Sequence, residues 1–150
     1  MKRATLVSLI LALSLLGLAD AWYLADAAIT GASLTCNIAG LSGCNIVAQS
    51  QYSHFFGQPL GVYGVVFYVV VIMLSAFIFF RPSHKPVIAL VALSSIGFLA
   101  SIYFVSIQVV LIKALCVYCL GSAVISLLLW VGALWLIRKH TGPEIALPGV

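Results

Sequence analysis

Two cysteines near the start of the last apolar segment form the motif Cys116-Val117-Tyr118-Cys119. Thiols three residues apart lie on one face of a helical turn, close enough to join in a disulfide with little backbone movement. The dipole of the following helix and Lys113, one turn upstream, are both expected to favour the thiolate of Cys116, which is the form that attacks disulfides. The spacing therefore predicts a redox-active pair, although half of a zinc site or an inert disulfide fits the same motif.

The only other cysteines, Cys36 and Cys44, form a second pair far upstream. A disulfide between them closes a short loop that contains Gly40 and Gly43, and it contributes roughly 2 to 3 kcal/mol through chain entropy, little enough for exchange to open it. A loop pair that contacts both an outside partner and a buried pair is suited to carrying electrons between them. Two alternatives remain open. One is a four-thiolate zinc site, which the spacing of the loop pair disfavours, and the other is a membrane scaffold or small transporter with two static disulfides.

The composition of the 150 residues indicates the environment of the protein. Of these residues 64% are hydrophobic and 7% are charged, and the mean hydropathy is +1.24. Soluble domains carry about 25% charged residues, so this is the composition of a membrane protein. The net charge of +4 and the pI near 9.0 do not indicate a nucleic-acid-binding protein, because the basic residues cluster at the ends of apolar runs instead of covering one face. We expect neither nucleic acid nor a metal ion as a ligand.

Four apolar segments are long enough to cross a bilayer as helices that rise about 1.5 Å per residue. We place the spans at residues 4–25, 60–80, 87–112 and 115–137, with an outer loop at 28–59 and a loosely ordered tail at 141–150. The predicted fold is an all-α membrane protein, a single domain over 1–150 built as a bundle of four transmembrane helices. A cleaved signal peptide is the alternative for the first segment, since Lys2 and Arg3 precede it and Ala25-Asp26-Ala27 has the form of a cleavage site.

The outer loop contains a pattern typical of a short amphipathic helix. Between residues 45 and 56, apolar and aromatic side chains recur at helical spacing, and polar side chains occupy the other positions. We predict a helix here that lies along the membrane surface and ends at Gly57 and Pro59. An ordinary loop helix packed on the bundle is compatible with the same pattern.

The basic residues predict which way the bundle faces. With the N-terminus in the cytoplasm, Lys113 alone is external, and the cytoplasmic side has Lys2, Arg3, Arg81, Lys85, Arg138 and Lys139. By the positive-inside rule, both termini are then cytoplasmic, and all four cysteines lie on the external or periplasmic side of the cell membrane, where disulfides persist. Asp20 and Asp26, near the outer end of the first span, either snorkel to the interface or pair with Lys113.

Taken together, these residues resemble the vitamin K epoxide reductase (VKOR) family, in particular its prokaryotic single-domain members. The resemblance covers nearly the whole chain. Its parts are a first span, a C-x-x-C that opens the fourth span and, in chain order, Cys36, Cys44, Ser50 and the opening Gly61-x-x-Gly64-x-x-Phe67-Tyr68 of the second span. The DsbB type of four-helix oxidant is similar in task but has its C-x-x-C in the first outer loop, so the cysteine order favours the VKOR type.

The resemblance implies four helices around a quinone, either ubiquinone or menaquinone, with electrons entering from a thioredoxin-like or DsbA-like protein. Carried over to this sequence, Cys36 accepts electrons from the dithiol of that partner. Cys44 then attacks the disulfide of the C-x-x-C motif and bonds to Cys116, and the freed Cys119 faces the quinone. Ser50 helps to order the short surface helix over the quinone pocket. The implied function is reoxidation of the partner, which supports disulfide formation in exported proteins.

Two positions depart from the vertebrate members of the family. Their asparagine near the start of the second span falls at Leu60, and their tyrosine four residues after the C-x-x-C falls at Ala123. These departures count against the alternative of a vitamin K epoxide or vitamin K quinone reductase proper, and they favour quinone reduction coupled to protein disulfide formation. Tyr63 and Tyr118 are further candidates for lining the quinone pocket, since an aromatic side chain at the interface has one apolar and one polar end.

Overall fold

The computed structural model describes residues 3–36, 43–81 and 83–141, so Lys2, Gly40 and the predicted tail after Thr141 lie outside the described residues. In chain order the elements are α1 (Arg3–Thr30), α2 (Cys44–Ala48), β1 (His54–Phe55), β2 (Gln58–Pro59), α3 (Leu60–Phe80), α4 (His84–Ile107), a π-helix (Gln108–Ile112) and α5 (Val117–Thr141). Within these ranges four helices are long and apolar enough to cross a membrane, at Arg3–Thr30, Leu60–Phe80, His84–Ile112 and Val117–Lys139. The prediction of a four-helix membrane bundle is confirmed.

The spanning helices pack so that α1 contacts α3 and α5, and α4 contacts the same two helices from the other side. One buried cluster joins all four helices, and its largest buried side chains include Ile10, Tyr68, Ile78, Leu90, Leu129 and Leu136. Many large apolar side chains on the outside, such as Leu16, Met73 and Ile96, are exposed, as a lipid-facing surface requires. Because lipid is as apolar as these side chains, the helices associate through close packing.

The two glycines near the start of α3 let this helix approach α1 closely. A β-carbon at Gly61 would lie 2.6 Å from the backbone nitrogen of Ala25, and one at Gly64 would lie 3.0 Å from the β-carbon of Ala21. Small residues at such an interface allow two backbones to pack against each other in lipid. The glycine pair therefore positions α3 against the C-terminal half of α1, next to the loop that carries the first two cysteines.

The ends of the helices differ from those predicted. α1 continues to Thr30 and stops where Gly31 takes a positive φ of 70°. α4 starts before its predicted first residue, and α5 starts at Val117 and continues past its predicted end. Hydropathy detects the part of a helix that lies in hydrocarbon, and it does not detect turns that continue beyond it. α1 has buried residues from Leu6 to Ala27, so the first segment packs within the bundle along its length.

The helix in the loop between α1 and α3 is shorter than predicted and covers only Cys44–Ala48. The Ser50 hydroxyl donates a hydrogen bond of 2.7 Å to the Val47 carbonyl, which replaces a helical bond and ends the helix in a turn. Between α2 and α3, the strands β1 and β2 pair as a small antiparallel hairpin. Its turn requires the positive φ angles of Phe56 (47°) and Gly57 (77°).

Candidate functional site

The connection from the π-helix to α5 carries Cys116, and Cys119 lies on the first turn of α5. The backbone N–H of Cys119 donates a hydrogen bond of 3.3 Å to the Cys116 sulfur. Both side chains are thiols, of which Cys116 is fully buried and Cys119 half-buried. The C-x-x-C pair therefore occupies the N-terminal turn of a spanning helix.

The pKa of the Cys116 thiol is lowered from its ordinary value. The largest cause is a hydrogen bond from the Cys119 side chain, and backbone N–H groups of Cys119 and Tyr118 at the start of α5 add to it, while burial opposes it. The sequence analysis expected Lys113 to contribute, but this exposed side chain is not among the groups that lower the pKa. The thiolate of Cys116 is thus favoured by hydrogen bonds within its own motif.

Replacing Cys119 with alanine is expected to raise the pKa of Cys116, because alanine cannot donate a hydrogen bond to the thiolate. A raised pKa moves the appearance of the thiolate to higher pH. The titration is best followed by ultraviolet thiolate absorbance in a background with both loop cysteines replaced by alanine, where Cys116 of the variant is the only thiol. Cys119→Ser, whose hydroxyl still donates, is the matched control and is expected to keep the lower pKa better than alanine does. Equal pKa values in the serine and alanine variants would contradict this role of Cys119.

The loop cysteines, Cys36 and Cys44, are joined in a disulfide with their α-carbons 6.0 Å apart. Cys44 begins α2 and has no exposed surface, whereas 9% of Cys36 is exposed. Both lie with Cys116 in one buried cluster, and Cys119 packs against it. All four cysteines therefore meet at one end of the bundle. Because two of the four sulfurs are bonded to each other, the four-thiolate zinc alternative does not fit this arrangement.

Gly43 determines how closely the two cysteine pairs approach. A β-carbon at this position would lie 2.8 Å from the Leu115 carbonyl oxygen and 2.9 Å from the β-carbon of Ala114. The backbone that leads into Cys44 therefore lies directly against the backbone that leads into Cys116. Only a residue without a side chain fits between them, so glycine at this position holds the loop pair over the C-x-x-C pair.

An amide side chain fastens the segment before Cys36 to α2. Asn45 accepts a hydrogen bond of 2.8 Å from the Leu34 N–H and donates one of 3.2 Å to the Leu34 carbonyl. An uncharged amide both donates and accepts, so Asn45 pairs with Leu34 much as a neighbouring strand does. The sequence analysis missed Asn45, and the signal that was available is its position directly after Cys44.

A cavity of about 180 Å³ lies beside the cysteines. Cys44, Cys116 and Cys119 line it together with apolar residues of α1, α3 and α4, and Ser50 lines it from the loop. Pockets for drug-sized molecules measure about 300 to 1,000 Å³, so this cavity has room for a ring system and not for a long tail. An apolar ring with polar atoms at its edge, such as the head group of a quinone, fits this lining.

Tyr63 and Tyr118, which were predicted as quinone-pocket residues, do not line this cavity. The Tyr118 hydroxyl donates a hydrogen bond of 2.8 Å to the carbonyl of Thr35, the residue before Cys36. The Tyr63 hydroxyl donates one of 2.8 Å to the Phe55 carbonyl. These two tyrosines position the loop and the hairpin, respectively.

Most polar side chains that line the cavity make hydrogen bonds within the protein. The hydroxyls with such bonds are those of Ser50, Ser53, Ser101 and Ser122. Gln108 differs, because it is 3% exposed and its Oε1 accepts a hydrogen bond of 3.0 Å from the Cys116 N–H. Its amide nitrogen and the Tyr52 hydroxyl have no hydrogen-bond partner among the described residues. Neither Gln108 nor Tyr52 was predicted as a cavity residue from the sequence.

Asp20 lies half-buried on α1, and its Oδ2 is buried without a hydrogen-bond partner in the described part of the chain. No ion pair joins Asp20 to Lys113, although the structure describes both side chains, so the alternative of such a pair is excluded. Asp26 is exposed, as expected of an acidic side chain that snorkels to the interface.

Comparison with known families accounts for this combination of fold and cysteines. The model of the vitamin K epoxide reductase family matches residues 8–134, a range that contains all four cysteines and most of every spanning helix. No curated protein matches the chain. Because the family match covers well over half of the residues, the chain belongs to the vitamin K epoxide reductase family.

Proposed function

We propose that this protein oxidises the dithiol of a thioredoxin-like, DsbA-like partner and passes the two electrons to a quinone of the membrane. The four spanning helices are those of a multi-pass membrane protein. Membership of the family supports a redox role in disulfide and quinone chemistry. The observation that carries the finer proposal is that the loop disulfide and the Cys116 thiol share one buried cluster beside a cavity in the bundle. The whole chain, residues 1–150, acts as one domain in this scheme.

The cysteines are proposed to face the outside of the cell membrane. Arg81 and Lys85 lie where α3 meets α4, and Arg138 and Lys139 lie at the end of α5, all at the end of the bundle opposite the cysteines. Lys113 alone lies at the cysteine end. The positive-inside rule then places the cysteines outside and both termini in the cytoplasm. Disulfides persist outside, and a protein that forms them in exported chains needs to work there.

Electrons enter at Cys36, the more exposed sulfur of the loop pair. A thiolate of the partner attacks the Cys36 sulfur, which forms a mixed disulfide and releases Cys44 as a thiolate. The second thiolate of the partner then attacks the partner's own sulfur in that bond and releases Cys36. The partner has lost two electrons and gained a disulfide, while the loop pair has gained two electrons and become two thiols.

Cys44 carries the electrons inward because it is buried next to Cys116. Its thiolate attacks the Cys116 sulfur in the disulfide of the C-x-x-C pair, which releases Cys119. Cys36 then attacks Cys44, restores the loop disulfide and releases Cys116 as a thiolate that the Cys119 hydrogen bond stabilises. After this step the loop pair is again a disulfide and the C-x-x-C pair is two thiols. A bound quinone supplies the two-electron acceptor that returns this pair to a disulfide.

The alternatives fit the cavity and the cysteines less well. Leu60 lines the cavity where the vertebrate members of the family have an asparagine, and Ala123 offers no hydroxyl in place of their tyrosine. Vitamin K epoxide reduction is therefore less well supported than reduction of ubiquinone or menaquinone. A scaffold with two static disulfides does not account for two cysteine pairs that pack against each other beside a cavity.

Replacing Gly43 with alanine is expected to slow the partner-driven reaction about tenfold to a hundredfold, because the methyl group separates the two segments that bring Cys44 to Cys116. The φ of Gly43 is −82°, so alanine is compatible with the backbone and the effect is steric. Stopped-flow measurement of quinone reduction by the reduced partner gives the rate. Reduction by a small dithiol, which reaches the inner pair directly, serves as the control and is expected to be unchanged. An alanine variant with the wild-type partner-driven rate would refute the importance of this contact.

The proposed function is tested by labelling Cys36 in intact cells with a maleimide that does not cross membranes. When oxidised quinone is abundant, Cys36 is expected to remain in its disulfide and to resist labelling. When quinone is depleted and a reduced dithiol is supplied, Cys36 is expected to accumulate as a thiol and to be labelled from outside. Cys36→Ser identifies the labelled residue. Labelling that requires permeabilised cells, or that is independent of quinone, would contradict the proposed side or the proposed acceptor.

A further inference from the structure

The π-helix places a polar side chain where a membrane helix normally has none. α4 ends at Ile107, and the wider turn of the π-helix carries the chain from Gln108 to Ile112 before Lys113 adopts a left-handed φ of 54°. Gln108 is 3% exposed, while Val109 and the next two residues are more than half exposed. π-helical turns are rare and are frequent at functional sites. An amide that points into the bundle, with valine and leucine pointing out, indicates a specific use for that amide.

The orientation of the Gln108 amide is determined by Cys116. A backbone N–H pairs only with an acceptor, so the atom 3.0 Å from the Cys116 nitrogen is the amide oxygen, and the NH₂ group points away from it. Gln108 lines the cavity, and this NH₂ group has no acceptor among the described residues. Because Gln108 is only 3% exposed and lines the cavity, this NH₂ group is available to a ligand there that accepts a hydrogen bond.

The residues that line the cavity indicate which chemical class of ligand would bind there. The walls are mainly apolar, and the serine hydroxyls at the surface of the cavity are already hydrogen-bonded within the protein. A ligand that fits is therefore an apolar ring with an acceptor oxygen at its edge. A quinone carbonyl has this chemistry.

We propose that the side-chain NH₂ of Gln108 donates a hydrogen bond to a carbonyl oxygen of the bound quinone and so positions the ring against the C-x-x-C pair. The inference rests on the proposed function, since it assumes that a quinone is the acceptor. The same amide binds the Cys116 N–H through its oxygen. Gln108 therefore contacts the ring and the backbone of a redox cysteine at once, and movement of one is transmitted to the other. The side chains of Leu60 and Ala123 have no hydrogen-bond donor, so in this chain Gln108 provides the donor.

The test uses the purified full chain in lipid nanodiscs with a short-chain quinone whose carbonyl carbons are isotopically labelled. Infrared difference spectra are expected to show one carbonyl band of the bound quinone shifted to lower frequency in the wild type. Gln108→Met, which has a similar size and no donor, is expected to lose the shifted band and to bind the quinone about three- to tenfold more weakly. Ser106→Ala is the control, because Ser106 lies on α4 close to Gln108, does not line the cavity and donates to the Ile102 carbonyl. It is expected to keep both the band and the affinity.

The possible failures are distinguishable. If the wild type binds no quinone, the proposed function fails together with the inference. If the wild type binds quinone and Gln108→Met keeps both the shifted band and the affinity, the inference alone is overturned. It is also overturned if Tyr52→Phe removes the band and Gln108→Met does not.

A second measurement avoids the substitution, in case Gln108→Met does not fold. Glutamine is labelled with heavy nitrogen in the side chain of the wild type, and solid-state NMR measures its dipolar coupling to the labelled quinone carbonyl carbon. A coupling is expected from the NH₂ group of Gln108, which lines the cavity. The signal can be assigned to Gln108 because the other glutamines lie in the loop before α3 and do not line the cavity; they are Gln49, Gln51 and Gln58. Absence of any coupling, with quinone bound, would overturn the proposal.

Discussion

Cys119→Ala is expected to abolish quinone reduction by any thiol donor and to accumulate a disulfide between Cys44 and Cys116. Quinone reduction stops because the remaining thiols cannot form the disulfide of the C-x-x-C pair. The mixed disulfide forms when the Cys116 thiolate displaces Cys36 from the loop disulfide. Without Cys119, Cys116 has no disulfide partner within its own motif, so only the return attack of Cys36 on Cys44 removes the new bond, and a fraction of the protein is expected to keep it. The burial of Cys44 and Cys116 in one cluster makes this the bond that the geometry favours.

The trapped bond is detected with a protease site inserted in the turn after Arg81, between the two pairs of cysteines. After cleavage, the two fragments are expected to migrate together on a non-reducing gel in a fraction of the Cys119→Ala protein and apart in the wild type. A further substitution of Cys44 with alanine is the control and is expected to separate the fragments again. Full quinone reduction by Cys119→Ala, or a bond that joins Cys36 to Cys116, would show that the roles proposed for these cysteines are wrong.

The second large effect is expected when Cys36 and Cys44 are both replaced by alanine. Oxidation of the protein partner is expected to fall to background, because a folded partner cannot reach Cys116, which is 1% exposed. A small dithiol that enters the cavity is expected to continue to reduce the disulfide of the C-x-x-C pair, since Cys116 and Cys119 both line it. The double variant therefore separates the two half-reactions.

The two half-reactions are measured side by side, as loss of free thiols on the partner and as the change in quinone absorbance with dithiothreitol. The ratio of the two rates is the informative quantity, because a general loss of stability lowers both. Retention of partner oxidation by the double variant would mean that the partner reacts directly with the inner pair. Loss of both reactions in protein that is still folded would mean that the loop cysteines do more than carry electrons.

Hydropathy predicted the bundle well because a bilayer requires about twenty apolar residues for each crossing. α3, for example, begins and ends at the predicted residues, Leu60 and Phe80. The loop was harder because its side chains compete with the helix for backbone hydrogen bonds. Ser50 ends α2 by bonding to Val47, and a positive φ at Phe56 is a conformation that no spacing rule anticipates for phenylalanine.

The two pairs of cysteines were predicted from their spacing to lie together, and the structure brings them into contact, but the residues around them could not be predicted. Tyr63 and Tyr118 were candidates for the pocket because a tyrosine has an apolar ring and a polar end, yet their hydroxyls donate hydrogen bonds to loop carbonyls. Gln108 is a single polar residue within a predicted span, and its inward position depends on the π-helix, which the sequence pattern does not indicate. Asn45 acts through a pair of hydrogen bonds to a residue eleven positions earlier, which is a contact of the fold and not of the local sequence.

Opening the disulfide between Cys36 and Cys44 does not free its two halves to diffuse apart. The paired hydrogen bonds between Asn45 and Leu34 persist, and so does the backbone contact of Gly43. The reduced Cys44 therefore remains at a high effective concentration beside Cys116; even short flexible tethers give values on the order of millimolar, and a rigid one gives more. Dissolved thiols compete poorly with a neighbour held in this way. The geometry of the loop thus insulates the inner exchange from bulk solution, and selectivity for the protein's own thiol arises from placement and not from reactivity.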